Sequence, residues 1–508
     1  MLEKNETLGE KFIKRWFWLY LFSFVVGPIW YIIKIILSHD LSVEEIGILY
    51  WIVSLIWLLT VYHDLWLTEA LNFFLPKYIV ENNYSKFKSA LAYAILAQIP
   101  TSLFIWWLLY FTSDYLAVNY FHAKELVSET QYVLKVFCLF FIWMNLFQIV
   151  NTVFWATQNT KFQKWSEFVR MIAILVFTLF FWYSGIWTLQ NYSWTWIFGL
   201  IFWIIFSYVL FYIKYYKTYL KWVKIIWDKI LFKEIFSYAL WVLLAANVWM
   251  ILSQVDMQLI IYLLGPKSAG YYTNYLSIIW IPFLVITPII WFLFPVISEL
   301  NSHNNLEKIK IIRSIFYKYF WVIALAVSGL MFVFSEQIAF ILFWNKFIFS
   351  GTILKYSIFF MIFNFLLQIN FQILAWIWRI KDRVKILWIW LIVFNIPLNL
   401  ILIKLMWVEG SSLAVWLSWI PVFYLSNKAL KTYHITFDYK FFIRNLIAII
   451  FLNLWIRSLI LPYFWFSSRL NSLVFILLIW FFYIITIWIF NLKEFKIFIQ
   501  EIKKILKK

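Results

Sequence analysis

Fourteen apolar stretches follow one another along the 508-residue chain, each about as long as the ~20 residues that carry an α-helix across the hydrocarbon core of a bilayer. Their centres lie near Phe24, Leu55, Leu103, Asn145, Phe177, Phe202, Trp249, Phe283, Ala324, Phe363, Phe394, Trp416, Phe451 and Leu478. In lipid every backbone polar group must be satisfied internally, which leaves helices or closed barrels. Runs of this length select helices and predict an all-α polytopic membrane protein. The polar intervals are too short for a separate soluble domain, which needs at least about 50 residues. Composition agrees: 65% of residues are hydrophobic and 13% charged, against about 25% charged in soluble domains.

The chain repeats itself. LSVEEIGILY (Leu41 to Tyr50) and LLGPKSAGYY (Leu263 to Tyr272) each place a helix-breaking turn between two apolar spans, and in each case the second span closes on an aromatic residue near a proline, Phe74-Leu75-Pro76 and Phe294-Pro295. Gly47 and Gly270 are 223 positions apart, Pro76 and Pro295 219. After the prolines, PKYIVENNYSKFKSALAYA is echoed by PVISELNSHNNLEKIKIIRSI, and Trp155 to Lys161 by Ile373 to Lys381. Six spans per copy is an even number, so both copies enter the membrane from the same side and are parallel, as in transporters whose substrate sits between two halves. The predicted organisation is a six-helix bundle over 1–213, a basic cytoplasmic linker over 214–234, a second six-helix bundle over 235–430, and over 431–508 a helical hairpin with a basic tail.

The net charge of +19 raises the possibility of a nucleic-acid partner, but its placement argues against one. In the fourteen-helix topology 34 of the 43 Lys and Arg fall on the side of the N-terminus and 9 on the other. That is the positive-inside pattern. It predicts cytoplasmic termini, a cytoplasmic-membrane location, contact of the basic face with anionic lipid heads, and no nucleic acid. The charged N-terminus leads into a span with no small-residue cleavage site after it, which reads as a retained helix. One cysteine, Cys138, and five scattered histidines give no disulfide framework and no ligand spacing. No cofactor or metal is expected beyond a coupling cation, and a monomer is expected.

Ionisable residues inside the spans are functional candidates by default. Lys34 lies near the outer end of the first span, beyond Gly27-Pro28; it either lines a pathway or snorkels to the interface. Asp64 and Glu69 in the second span either face an aqueous cavity or belong to the solvated end of a protruding helix. Arg170 lies just inside the fifth span. Asp256 is nine residues from the turn at Gly265, roughly 13 Å along a helix. Asp256 is one position short of the repeat equivalent of Lys34, position 257, so an ion pair between them, acting as a gate, is expected. Catalysis of glycosyl transfer would need paired acids or an Arg/His-rich outer loop. Neither is present in the sequence, so the chain is not expected to be an enzyme.

The segments SQVDMQLIIYLLGPKSAGYY (Ser253 to Tyr272), LFWNKF (Leu342 to Phe347) and NIPLNLILIKLMWVEGSSLAVWLSW (Asn395 to Trp419), with the helix end at Pro295, resemble the polysaccharide exporter branch of the multidrug/oligosaccharidyl-lipid/polysaccharide (MOP) flippase superfamily. The likeness runs along nearly the whole chain and is weakest in spans five, six, thirteen and fourteen. It implies transport of undecaprenyl-diphosphate-linked oligosaccharide across the cytoplasmic membrane by alternating access, with cations in a central cavity meeting the diphosphate. Lys34 and Arg170 fit that role by position, and Asp256 falls in a matched motif. The alternative is a cation-coupled multidrug or small-molecule exporter of the same fold, with Asp256 as the coupling site.

The chain departs from this branch at Trp66, Trp344, Trp378 and Trp407, where the resemblance implies glycine. Only 10 residues are Gly while 35 are Trp, and average usage would give roughly 25 more glycines. Two explanations stay open: UGA codons that the source organism reads as glycine, or interfacial aromatic belts with compositional bias.

Overall fold

The computed structural model describes residues 8–492 and 494, except 64, 123–124, 158, 303–305, 377–378, 432–438 and 461–467. Eighteen α-helices, interrupted by short π- and 3₁₀-helical turns, account for the described residues with no strand among them. Each of the fourteen predicted centres falls in a helical segment. The chain is an all-α polytopic membrane protein. Among the described residues nine stretches are long and apolar enough to cross a membrane, and one of these, Lys381–Ala429, holds 49 residues. That stretch doubles back inside α15 (Ile396–Leu417), where Trp407 leaves helical geometry. Ser411 Oγ donates to Asn399 Oδ1 at 2.7 Å, although twelve residues of straight helix would separate them by about 18 Å.

Contacts divide the chain into two compact units, 1–270 and 271–508. The first holds α1 (Leu8–Asp40), α2 (Val43–His63), α3 (Leu67–Val80), α4 (Tyr84–Tyr115), α5 (Val127–Ala156), α6 (Thr160–Tyr183), α7 (Leu189–Phe211) and α8 (Lys229–Leu264). Helix α8 belongs here because it packs on α2 and α3. A reciprocal capping box starts α2: Glu45 N–H donates to Ser42 Oγ at 3.2 Å and Ser42 N–H to Glu45 Oε2 at 2.8 Å, satisfying two backbone donors that a helix start leaves open. The long apolar run after Ile46 breaks at Leu65–Trp66, both with positive φ, and resumes as α3. The basic linker is tied along α4, not left free: Lys88 Nζ donates to the carbonyls of Leu220 and Val223 at 2.9 Å, and Ser85 and Tyr93 to those of Lys224 and Asp228.

The two repeat turns meet inside this unit. Gly265 ends α8 with φ +82° and Pro266 opens α9 (Pro266–Ser302), the usual order of glycine after one helix and proline at the start of the next. A Cβ on Gly47 would lie on the carbonyl oxygen of Pro266 and 2.8 Å from Gly270 N, and a Cβ on Gly270 would lie on the carbonyl of Val43. Residue 43 is to 266 as 47 is to 270, so the contact is reciprocal. Glu44 and Lys267, again equivalents, stand 3.8 Å apart.

The second unit continues α9 and adds α10 (Leu306–Val333), α11 (Ser335–Phe343), α12 (Ile348–Ser357), α13 (Met361–Trp376), α14 (Ile380–Ile389), α15, α16 (Trp419–Ala429), α17 (Tyr439–Trp455) and α18 (Arg469–Phe490). The last two form the predicted hairpin, joined by Asn491 Nδ2 to Asn445 Oδ1 at 2.8 Å and Tyr483 Oη to Asn453 Oδ1 at 3.2 Å. Hydrogen bonds of this kind hold helices together where lipid removes the hydrophobic drive between them.

Because the Gly47 contact is backbone on backbone, no rotamer change can relieve an added side chain there. Gly47→Ala should lower the thermal unfolding midpoint in detergent, by overpacking worth about 1–3 kcal/mol. An unchanged midpoint would mean the turns do not touch.

Candidate functional site

Two cations are set into the interior of the first unit. Lys34 on α1 is 1% exposed, and its ammonium lies 4.3 Å from the ring centroid of Tyr50 on α2. Trp30, one turn earlier on α1, and Trp196 on α7 complete an aromatic wall around Tyr50: the three rings meet edge-on at 5.4 to 6.3 Å between centroids. A desolvated cation over an aromatic face gains on the order of 2 kcal/mol, which offsets part of the cost of its burial.

Arg170 on α6 and Trp196 line one small void. The Arg170 guanidinium stacks 4.4 Å from the Trp203 ring centroid, while its buried Nε has no hydrogen-bond partner among the described residues. The void measures about 10 Å³, room for about one water molecule, and is walled also by Val53, Ile56, Trp57, Phe137 and Phe140. The lining is apolar except for Arg170 itself. An arginine with an unfilled donor in apolar surroundings attracts an anion strongly, because the low local dielectric leaves the attraction little screened.

The other predicted residues are distributed as follows. Asp256 is 8% exposed on α8. Two residues on, Gln258 ties α8 to α2 through Ser54 Oγ at 3.1 Å and accepts from Tyr120 Oη at 3.3 Å. Glu69 is on the exposed side of the first turn of α3, 3.5 Å from Asn72 Nδ2. Asp64 and Trp378 lie outside the described residues.

Sequence reasoning missed a polar cluster in the second unit. Arg313 on α10 is 2% exposed; its Nε and Nη2 donate to Asn370 Oδ1 on α13 at 3.2 and 3.0 Å, and Nη2 also to Asn427 Oδ1 on α16 at 2.5 Å. Tyr317, one turn along α10, donates to the same Asn370 oxygen at 2.5 Å, and Asn370 Nδ2 donates to Ser426 Oγ at 2.8 Å. The only local signal is the four-residue spacing of Arg313 and Tyr317. At the C-terminal end of α1, the Asp40 side chain is fully buried and accepts from the Tyr192 phenol and from His39 Nδ1.

A family model described as polysaccharide biosynthesis protein matches residues 12–301. An uncharacterized membrane protein of Methanocaldococcus jannaschii is 22% identical over 441 residues, 83% of this chain and 85% of that one. Among solved structures, the lipid II flippase MurJ in its inward closed conformation superposes with a TM-score of 0.70 at 17% identity, covering 94% of this chain and 99% of its own. An inward-facing multidrug resistance MATE family transporter of the MOP superfamily gives 0.69 at 12% identity, covering 82% and 98%. At these identities the likeness is one of fold.

Asn370 supplies the oxygen shared by Arg313 and Tyr317. Asn370→Leu should therefore lower the unfolding midpoint, since an unmatched buried donor costs about 1–3 kcal/mol and a charged one more. The double variant Arg313→Met/Asn370→Leu should recover much of that loss, because no buried charge is left uncompensated; equal midpoints for Asn370→Leu and the unaltered protein would reject the cluster's structural role.

Proposed function

We propose a cargo and a direction of transport from one premise: this chain belongs to the polysaccharide biosynthesis protein family. The cargo is an oligosaccharide carried on undecaprenyl diphosphate, moved from the cytoplasmic to the outer leaflet of the cytoplasmic membrane by alternating access. The observation that carries the reading is Arg170, with a buried, unfilled donor beside a small void, in the same unit as the buried Lys34.

A diphosphate cannot cross hydrocarbon unaided, because stripping water from its charge is prohibitive. A cation held at membrane depth replaces part of that hydration. Both cations stand against aromatic faces, which hold them in place, and the open Nε of Arg170 is the donor that the head group would meet. A fold shared with a lipid II flippase supports a lipid-borne cargo. In this reading the protein works as a monomer with both termini in the cytoplasm. It breaks no covalent bond, so it is not an enzyme and needs no cofactor beyond a coupling cation.

A second reading rests on Asp256, buried in α8, and on the fold shared with a MATE transporter: a cation-coupled exporter of small molecules, with Asp256 binding the coupling ion. The ion pair expected between Lys34 and Asp256 would serve either reading as a gate.

Complementation of a strain lacking a surface-polysaccharide flippase separates the two. Arg170→Ala and Lys34→Ala, each at unaltered membrane levels, should cut surface polysaccharide by about tenfold or more, the loss expected when a charge-assisted hydrogen bond worth ~1.5–3 kcal/mol is removed. Full complementation by both variants would overturn the flippase reading. Loss of cationic-dye export on Asp256→Ala, with polysaccharide unaffected, would favour the second.

A further inference from the structure

Three tryptophans occupy backbone conformations that belong to glycine. Trp344, which caps the C-terminus of α11, has φ +71° and ψ 171°. Gly265, which caps α8, has φ +82° and ψ −177°. The two residues do the same job with nearly the same dihedrals, in a region essentially restricted to glycine because a Cβ there collides with its own backbone. Trp407, at the apex where α15 doubles back, has φ +57° and ψ −134°, again a region that disfavours any Cβ. The turn it makes is so tight that a Cβ on Gly410 would lie on the carbonyl of Leu402. Trp66, in the break between α2 and α3, is left-handed at φ +58°, ψ 19°, which for a bulky side chain is a genuine outlier.

The strain is concentrated in one residue type, with Leu65 beside Trp66 the one other residue of a type that disfavours positive φ. Six non-glycine residues take positive φ among the described residues: Leu65, Trp66, Asn82, His122, Trp344 and Trp407. Asn and His are the types that tolerate this region. Half of the six are Trp, although Trp makes up 35 of 508 residues, so chance alone would supply fewer than one. No Phe or Tyr does the same among the described residues, although the chain has 56 and 31 of them. Bulk or aromaticity is therefore not the common factor.

Tryptophan has one standard codon, UGG, and shares its first two bases with UGA, a codon that can be reassigned.

We infer that positions 66, 344 and 407 are glycine in the protein as its source organism makes it, encoded by UGA and decoded as glycine. The tests are the codons of the gene together with peptide sequencing, by mass spectrometry, of the protein purified from its source. UGA codons and glycine-containing peptides at all three positions are expected. UGG at these positions, or UGA with tryptophan in the peptides, would overturn the inference. An independent measurement compares the tryptophan form with the triple variant W66G/W344G/W407G, both expressed in a host that reads UGG as Trp. The glycine form should accumulate in the membrane to several-fold higher levels, with a higher unfolding midpoint in detergent. Equal or lower values for the triple variant would count against it.

Discussion

The structure depends on one close approach of backbone to backbone. Where Val43–Gly47 meets Pro266–Gly270, neither glycine has room for a Cβ. In lipid there is no hydrophobic gain in bringing two helices together, so association rests on van der Waals contact at short range and on polar contacts. Small residues at the meeting point allow both. The reciprocity of the contact, in which each residue touches the equivalent of its partner's partner, is the geometry of a self-complementary interface. A substitution at one glycine is consequently felt by both turns.

The buried charges divide by how they are satisfied. Arg313 is enclosed by amide oxygens from two other helices and a tyrosine, an arrangement that fixes α10, α13 and α16 together and leaves little capacity for a ligand. Arg170 is held by stacking, which constrains its position without using all of its donors. Burial alone would make the two residues look alike. Their hydrogen bonds tell them apart: the donors of Arg313 are spent within the fold, whereas Arg170 keeps an open Nε, as the proposed role in transport requires.

Much of this was legible in the sequence, for definite reasons. Spans are legible because the bilayer fixes their length, and each predicted centre lies in a helix. The equivalence of the two turns was visible in the 223-residue offset of Gly47 and Gly270; their contact was not, since a repeat spacing does not say which copies touch. The Arg313 cluster was not legible, because Asn370 and Asn427 lie 57 and 114 positions away and nothing local marks an asparagine that will meet a buried arginine. Grouping of α8 with the first unit was hidden too. Composition marks the basic linker, and the linker's bonds to α4 are made by main-chain carbonyls that every sequence possesses.

Glycine has a larger part in a protein like this than its count suggests. A helix end near or within lipid cannot leave its last carbonyls to water, so the chain must turn tightly enough to satisfy them itself. Tight turns need positive φ, and positive φ needs the absence of a Cβ. The three strained tryptophans sit at such points: a break between helices, a helix cap and the apex of a reversal. A soluble protein could open each turn and let water satisfy the freed groups. Here that relief is closed off, so the side chain has to yield to the backbone, and a residue type that cannot yield marks the position where glycine belongs.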